Sequence, residues 1–231
     1  MIEKSQEVYN EHAKKFPNII MLGAPGAGKG SIATKMVQNN DYVQISTGDM
    51  FRQEIKNQTP LGLKIKSILD SGAYVDDCIT NQLVEKKLTE LVREKKHFIL
   101  DGYPRTLAQA KFLLSLANVG IKIDKVILLE ITDEQIIDRL SKRRICLNCK
   151  TIYHLQSFPP LPGDLCIKCH EKVTKRPDDE PEVIKKRLSI YNEQTKCLIN
   201  FYQELGILLK INSYQTIDKV YNDVKEALKW S

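Results

Sequence analysis

A glycine-rich segment, Gly23–Ser31, follows the apolar run Ile19–Leu22 and reads Gly-Ala-Pro-Gly-Ala-Gly-Lys-Gly-Ser. An apolar strand, a glycine-rich turn and a helix start predict a loop whose backbone N–H groups surround a polyphosphate. Lys29 would bring positive charge to the outer phosphates, and the Ser31 hydroxyl would be a ligand for Mg²⁺. Gly30 separates the lysine from the serine, so this is a variant of the common phosphate loop. The alternative is a glycine-rich turn that binds nothing.

A second segment, Asp101–Thr106, follows the apolar run at 97–100. A carboxylate at the end of a strand beside a phosphate loop can hold Mg²⁺ directly or through water, which is the role expected for Asp101. Arg105 can bind a phosphate through two parallel N–H groups. Gln109, one helical turn later, can match the N1/N6 edge of adenine, but only if neighbouring groups fix the orientation of its amide. A solvated surface glutamine is the alternative.

A third segment, Ser46–Arg52, resembles a helix start with an arginine in its first turn. Because backbone N–H groups are unpaired at a helix start, this segment is a candidate anion site. Simple N-capping of the helix by Thr47 or Asp49 is the alternative.

Short apolar stretches alternate with amphipathic ones along most of the chain. This alternation predicts an α/β fold in which a doubly wound parallel sheet is covered by helices on both faces. The strands are predicted at 19–22, 42–45, 97–100, 126–131 and 207–211, and helices at 47–72 (broken near Pro60 and Gly62), 79–93, 106–117, 133–143, 181–204 and 217–229.

The bulk composition describes a globular chain. It has 231 residues, 42% hydrophobic and 28% charged, with a net charge of +6. No apolar stretch approaches the ~20 residues of a membrane span, so no membrane partner is expected. Residues 1–17 lack the apolar core of a signal peptide, and their glutamates argue against a mitochondrial presequence. A cytoplasmic location is expected, with the mitochondrion left open.

Four of the six cysteines form the pattern C-x2-C-x16-C-x2-C within a proline-rich insertion at 144–177. This spacing allows two knuckles to meet at one tetrahedral metal site, formed by Cys146, Cys149, Cys166 and Cys169. Four thiolates leave no position for a reacting water, so the metal would be structural; zinc is favoured and iron also fits. Disulfides within each pair are the alternative. Cys78 and Cys197 are expected to be packed or without a role, and His154 and His170 are not counted as ligands.

Several ordered motifs together resemble those of the adenylate kinases. They are Gly23–Gly30, Ser46–Asp49 and Asp101–Thr106, and the resemblance continues through Arg143, Arg176–Asp179 and Arg187. It implies a doubly wound sheet of P-loop kinase type spanning 18–231 after an N-terminal extension at 1–17. It also implies an AMP-binding part at 46–75, a mobile lid at 139–177, and reversible phosphoryl transfer from a Mg-bound nucleoside triphosphate to AMP.

The resemblance assigns roles to individual residues. It implies catalytic roles for Lys29, Asp101, Arg105, Arg143, Arg176 and Arg187. The phosphate donor would contact Gly26, Ala27, Gly28, Lys29, Gly30, Ser31, Arg139, Arg143, Ile152, Tyr153 and Gln215. AMP would contact Thr47, Arg52, Ala73, Tyr74, Val75, Gly102, Tyr103, Pro104, Arg105, Gln109, Arg176 and Arg187. Asp178 and Asp179 resemble an acidic pair that stabilises the closed lid.

The identity of the donor stays open at this point. The family's loop commonly continues Lys-Gly-Thr-Gln, whereas this chain has Ile32 in the last position, which is expected to remove a polar side chain near the donor site. Some relatives that prefer GTP also carry an apolar residue there, and others do not. The donor is therefore ATP or GTP. Two other functions are a catalytically inactive nucleotide-binding scaffold and a nucleic-acid-binding module. The second is disfavoured because aromatic residues are only 7% and the arginines occupy phosphate-motif positions. Because the site is complete within one chain, a monomer is expected.

Overall fold

The computed structural model describes residues 16–230. Of the predicted N-terminal extension, 1–17, only Phe16 and Pro17 therefore lie within the described residues. None of the helices in the described range is long and apolar enough to cross a membrane.

The fold is α/β, as predicted. The strands are β1 (Ile19–Leu22), β2 (Tyr42–Ser46), β3 (His97–Asp101), β4 (Lys125–Glu130), β5 (Arg143–Cys146), β6 (Ile152–His154), β7 (Val173–Thr174) and β8 (Leu208–Asn212). The helices are α1 (Lys29–Asn39), α2 (Thr47–Lys56), α3 (Pro60–Asp70), α4 (Asp77–Arg93), α5 (Leu107–Ser115), α6 (Asp133–Lys142), α7 (Pro181–Ile190), α8 (Cys197–Glu204) and α9 (Ile217–Ala227).

The main sheet has the order β2-β3-β1-β4-β8, and every neighbouring pair is parallel. After β1 the chain turns to one side to form β2 and β3, and it then crosses β1 to form β4 on the other side. The strand order therefore reverses next to β1, and ligands of doubly wound sheets bind beyond the carboxyl ends of the strands at such a point. The Gly23–Ser31 loop leaves β1 at this position.

Both faces of the main sheet are buried, which explains why its strands are apolar throughout rather than alternating. Ile20 and Leu22 pack on one face in a cluster that includes residues of α4, α5 and α8. Ile19 and Met21 pack on the other face with residues of α1 and α9. The burial of side chains on both faces makes this sheet the rigid base of the molecule.

The structure breaks the predicted helix at 47–72 into α2 and α3, with Pro60 at the first position of α3. Gly62 does not end a helix; it lies inside α3, where a Cβ atom would be 2.1 Å from the Glu54 carbonyl oxygen of α2. Glycine is therefore required because the two helix backbones approach so closely.

Two features differ from the sequence predictions. The predicted helix at 181–204 is interrupted by a π-helical turn, Tyr191–Thr195, between α7 and α8. The insertion carries a small antiparallel sheet, β6-β5-β7, which was not predicted because its strands are two to four residues long. Such short strands carry too few residues for an alternating pattern to be recognised.

Candidate active site

The phosphate loop begins at the carboxyl end of β1 and ends in the first turn of α1. Gly28, immediately before α1, has φ of +100°, a conformation that side chains with a Cβ rarely adopt. The described residues supply no side-chain cap at this helix start. The N–H groups of the first turn can therefore bind an anion, aided by the positive end of the helix dipole.

The Lys29 side chain folds back over this loop. Its ammonium donates hydrogen bonds to the carbonyl oxygens of Gly23, at 2.6 Å, and Ala24, at 2.8 Å. Desolvation lowers the pKa of Lys29 to about 8; the Asp101 carboxylate opposes this shift, and nearby arginines, Arg105 first among them, reinforce it. The loop thus holds a lysine whose positive charge is incompletely compensated, which favours binding of a polyanion.

Asp101 ends β3 and lies against the loop. Its Oδ2 atom accepts a hydrogen bond of 3.3 Å from the Gln44 amide, and it is 3.2 Å from where a Cβ on Gly30 would lie. Removal from water raises the pKa of this carboxyl, partly offset by Lys29 and Arg105. A hard carboxylate oxygen beside a phosphate loop fits the ligand preference of Mg²⁺.

Four arginines from distant parts of the chain surround the same region. Arg105, Arg143 and Arg187 act electrostatically on Lys29, and Arg143 also acts on Arg176. Desolvation, together with the positive charges of Arg143 and Arg52, lowers the pKa of Arg176 to about 10. The Nε atom of Arg176 is buried and has no hydrogen-bond partner among residues 16–230. Such a cluster is well suited to bind phosphate groups.

The predicted acidic pair orders two of these arginines. Asp179 is fully buried, and its Oδ2 accepts a 2.7 Å hydrogen bond from Arg143 Nε while its Oδ1 accepts from Arg143 Nη2. Asp178 accepts from Arg187 Nη1 at 2.9 Å, through both a carboxylate and the backbone oxygen. The short 3₁₀ turn that carries both aspartates joins the lid segment to α7.

A cavity beside the loop collects most of the residues expected to contact AMP. It is lined by Thr47, Phe51, Leu69, Ala73, Tyr74, Val75, Thr80, Gly102, Arg105 and Gln109. The Arg105 guanidinium lies 4.9 Å from the centre of the Tyr74 ring, and its Nε donates to the Gly102 carbonyl at 2.7 Å. Arg52 lies in the second turn of α2 rather than in the first turn as predicted, and its guanidinium pairs with Asp49. The apolar walls and few polar groups are typical of a nucleoside site.

Gln109 is not a solvated surface residue. It is 2% exposed, and its Oε1 accepts from the Arg105 backbone N–H at 2.7 Å. Its Nε2 donates to Asp77 Oδ1, also at 2.7 Å. Both ends of the amide are therefore held by the protein.

The structure uses two of the predicted contact residues elsewhere. The Tyr103 ring is 1% exposed in the core, and its hydroxyl bonds to Asn81 at 2.6 Å. The peptide that joins it to Pro104 is cis. The Tyr153 ring is buried inside the lid, with its hydroxyl 3.0 Å from Cys166 Sγ. Both rings therefore belong to the protein interior.

The remaining donor-site candidates come from three different parts of the chain: α6, the segment after β8, and β6. Arg139 of α6 donates to the carbonyl oxygens of Ala27, at 3.4 Å, and Ser213, and it lies 5.6 Å from the centre of the Tyr214 ring. Gln215 is next to Tyr214 in the sequence, and its Nε2 donates to the Asn212 carbonyl oxygen and to Asp223 Oδ2. Ile152 instead lies in the lid sheet opposite Ile145.

Ile32 does not line the donor side. It is 2% exposed and packs in the core cluster with Ile19 and Met21 of β1. The expectation that this residue changes the polarity of the donor site is therefore wrong, because α1 turns its side chain toward the sheet.

The four paired cysteines converge in the insertion that carries the small antiparallel sheet. Their sulfur atoms all lie within 4.8 Å of one another, and all four are free thiols. Four sulfurs bound tetrahedrally at about 2.3 Å from one Zn²⁺ would lie about 3.8 Å apart, so the cluster fits such an ion. Burial raises the pKa of Cys146 to about 11. It would also raise that of Cys166, but hydrogen bonds from Tyr153 and from backbone N–H groups lower it to about 6.

The structure also reveals residues that sequence reasoning missed. Thr195, in the π-helical turn, donates to the Arg105 carbonyl at 2.7 Å and lies 2.9 Å from the Tyr74 hydroxyl. Asp77 holds both Gln109 and the Thr106 hydroxyl. A lone threonine or aspartate carries no spacing pattern, so no sequence signal marked either residue.

The chain was also compared with known proteins. The adenylate kinase family profile matches residues 21–207. An adenylate kinase of Mycoplasma mobile is 52% identical over 206 residues, which cover 88% of this chain and 94% of the relative. One from Thermoanaerobacter sp. is 42% identical over 211 residues, covering 91% and 97% of the two chains. One from Methanosarcina barkeri is 43% identical over 213 residues, covering 92% and 98%.

The parallel sheet, the phosphate loop and the arginine cluster are consistent with the family that these matches indicate. Because the family match and the identity extend over most of both chains, this chain belongs to the adenylate kinase family and is a phosphotransferase.

Proposed function

We propose that this chain catalyses reversible transfer of the terminal phosphoryl group of a Mg-bound nucleoside triphosphate to AMP. In this proposal Gly26–Ser31 holds the donor phosphates, with Arg139 and Gln215 near the donor base. The acceptor segment, residues 46–75, and the Gly102–Gln109 turn hold AMP. The lid segment, residues 139–177, closes over both nucleotides.

The observation that carries the proposal is the convergence of cations between two potential nucleotide sites. Lys29, Arg105, Arg143 and Arg187 share one electrostatic environment, although up to 158 residues separate them in sequence. Arg176 adds a buried Nε atom that has no hydrogen-bond partner within the described range, residues 16–230. Two nucleotides whose phosphates repel each other need this amount of positive charge to approach in line.

The phosphate of AMP is already an anion, so the reaction needs no strong general base. The protein's tasks are to orient the two phosphates, to neutralise the charge that spreads over the transferred group, and to exclude water. A Mg²⁺ ion that accompanies the donor supplies further charge neutralisation at the phosphates, and Asp101 and Ser31 are the residues proposed to hold it. Each arginine can donate two parallel N–H hydrogen bonds to phosphate oxygens. These bonds take the place of those that water would make in an open site.

For the donor we propose ATP. The sequence-based reason to consider GTP was an apolar residue in the donor site, and the burial of Ile32 in the core removes it. The relatives described above carry the name adenylate kinase, which supports AMP as the acceptor and does not specify the donor.

For the lid we propose a structural Zn²⁺ held by the four cysteines, with iron as the alternative. Around the cysteines of this segment, the buried hydrophobic cluster comprises Cys146, Tyr153, Cys166 and Val173, with Cys169 packed against it. So small a core is insufficient to fold a segment by itself, and a tetrahedral metal would stabilise it.

A coupled assay with AMP as acceptor tests the activity, comparing ATP with GTP at matched Mg²⁺. We expect turnover with ATP to exceed turnover with GTP by about tenfold or more. Turnover with GTP alone would assign a GTP:AMP phosphotransferase. No turnover with either donor would favour an inactive nucleotide-binding scaffold.

Two variants of α1 test the loop. Lys29→Ala should lower kcat by about 100-fold or more, because it removes a charge aimed at the transferred phosphate. Lys35→Ala, on the same helix, removes an ion pair with Asp218 and a contact with the Tyr221 ring, both outside the loop, and should retain activity. A folded Lys29→Ala protein with full activity would show that the loop is wrongly assigned.

A further inference from the structure

Recognition of adenine by a glutamine amide requires that the amide cannot rotate. Adenine presents an acceptor at N1 and a donor at N6, whereas hypoxanthine and guanine present a donor at N1 and an acceptor at O6. Turning a carboxamide by 180° exchanges its oxygen and its NH₂ group, so a free amide can match either pattern. An unconstrained Gln109 would therefore discriminate weakly between purine monophosphates.

Two neighbours constrain the Gln109 amide in this structure. The backbone N–H of Arg105, which can only donate, lies 2.7 Å from Oε1. The Asp77 carboxylate, which can only accept when ionised, lies 2.7 Å from Nε2. The reverse orientation would place two donors face to face at Arg105 and two oxygens face to face at Asp77. Both mismatches are costly at a residue that is 2% exposed.

Each constrained atom keeps one further hydrogen-bonding position. A carbonyl oxygen has two lone pairs, and an amide nitrogen has two N–H bonds. Arg105 and Asp77 use one of each, which leaves one acceptor and one donor on a residue that lines the cavity. That remaining pair complements the N6 amino group and N1 of adenine.

Asp77 is itself held in place. Its Oδ2 accepts a hydrogen bond from the Thr106 hydroxyl at 2.7 Å, and it lies in the first turn of α4, where a carboxylate is stabilised by the helix dipole. Thr106 in turn caps α5, the helix that carries Gln109. The start of α4 and the start of α5 are thereby joined through one carboxylate.

We propose that Asp77 is a positioning residue that sets the base specificity of the acceptor site, by fixing the Gln109 amide in the orientation that accepts adenine and rejects 6-oxopurines. The inference rests on the proposed function, with AMP as acceptor. Because Arg105 contributes both a constraint on the amide and a guanidinium in the same cavity, recognition of the base is tied to the group proposed to bind the phosphate.

The test compares AMP with IMP, which differs from AMP only at the N1/C6 edge of the base. Asp77→Ala removes the acceptor and admits water, which can donate or accept and so leaves either orientation of the amide possible. We expect the ratio of kcat/KM for AMP to that for IMP to fall by about tenfold or more. The change should lie mainly in KM for AMP, with kcat little altered, and calorimetric binding of the two monophosphates should show the same shift.

Two further variants separate positioning from stability. Asp77→Asn keeps an oxygen that can accept from Gln109 and should retain most of the discrimination. Asp76→Asn removes the neighbouring charge but keeps the cap on α4, and it should leave the ratio unchanged. If Asp77→Ala does not fold, Asp77→Ser gives the same measurement with a side chain suited to a helix start.

The outcomes distinguish this inference from the proposed function. A wild-type chain that neither binds nor phosphorylates AMP would overturn both. A wild-type chain that uses AMP and IMP equally would overturn the specificity assignment alone. So would a folded Asp77→Ala variant with the wild-type ratio. A loss of AMP selectivity in Asp77→Ala, partly restored in Asp77→Asn, is the expected result.

Discussion

The Lys29 ammonium carries a positive charge that a bound phosphate would stabilise. The ammonium is placed by two loop carbonyls, Gly23 and Ala24, rather than by a carboxylate in hydrogen-bond contact. Its environment opposes the positive charge, since desolvation and the cations Arg105, Arg187 and Arg143 all lower its pKa. A bound polyphosphate would reverse this balance, because its negative charge favours the protonated lysine.

A pH dependence follows from this pKa of about 8. A lysine with a lowered pKa loses its proton at a lower pH than usual, so kcat/KM for the donor should fall as the pH rises above about 8. The value of kcat should stay constant to a higher pH, because the bound phosphates raise the pKa again. Steady-state rates from pH 6.5 to 10 check this. Lys35→Ala should follow the wild-type profile, and a kcat/KM that stays flat to pH 10 would contradict the prediction.

At the scale of elements, the π-helical turn between α7 and α8 contacts residues that are far away in the sequence. The π-helical turn places Thr195 between the Arg105 carbonyl and the Tyr74 hydroxyl. Single π turns within helices are rare and often lie at functional sites. Here the turn connects the acceptor segment, the Gly102–Gln109 turn and the helix that carries Arg187.

The lid is the element whose stability should depend most on a ligand outside the chain. Cys149→Ser removes one sulfur from the cluster and should lower the affinity for Zn²⁺ and the melting temperature, the latter by about 5 °C or more. Metal release with a chromogenic chelator and thermal unfolding measure the two effects. Acid should weaken metal binding in the wild-type chain, since protons compete for the thiolates.

Cys78→Ser is the matched control for the lid variant. Cys78 is exposed in the first turn of α4 and lies outside the cluster, so its replacement should leave metal content and melting temperature unchanged. Equal metal content in the wild-type and Cys149→Ser chains would contradict the proposed four-cysteine site.

For the whole molecule, the strand order decides where the site lies. Both β1 and β3 end on the same side of the sheet, with Met21 of β1 paired to Asp101 of β3 and Ser46 of β2 on the other side of Asp101. The loop after β1, the carboxylate that ends β3 and the helix start after β2 therefore meet along one edge. Lys29 and the arginines proposed to bind the phosphates all belong to this one chain.

A site built within one chain predicts that the protein works as a monomer. Size-exclusion chromatography with light scattering should give a mass near 26.5 kDa, and specific activity should not depend on protein concentration. A dimer whose activity falls on dilution would contradict the prediction of a monomer.

AMP together with a non-hydrolysable ATP analogue, each at ~100-fold its Kd, should raise the melting temperature by about 5 °C or more, and by more than either ligand alone.

The sequence by itself determined the α/β class, the phosphate loop, the metal-type cysteine spacing and the family resemblance, because each depends on local pattern. Apolar runs such as Ile19–Leu22 identify buried strands without knowledge of their partners. The parallel sheet confirmed the predicted α/β class, and the family match confirmed the resemblance. Contacts between distant residues have no such local signal. Consequently the sequence suggested that Ile32 lies in the donor site, whereas in the structure it packs in the core.

Only the tertiary structure decided how the predicted side chains are used. It turned the rings of Tyr103 and Tyr153 into buried packing, and it paired Arg143 with Asp179, 36 residues away. It also supplied the neighbour that the sequence left unidentified, since Asp77 reaches Gln109 across 32 residues. The physical reason is the same in each case: a residue type and its spacing define what a side chain can do, whereas packing and hydrogen bonding with residues brought together by the fold define what it does.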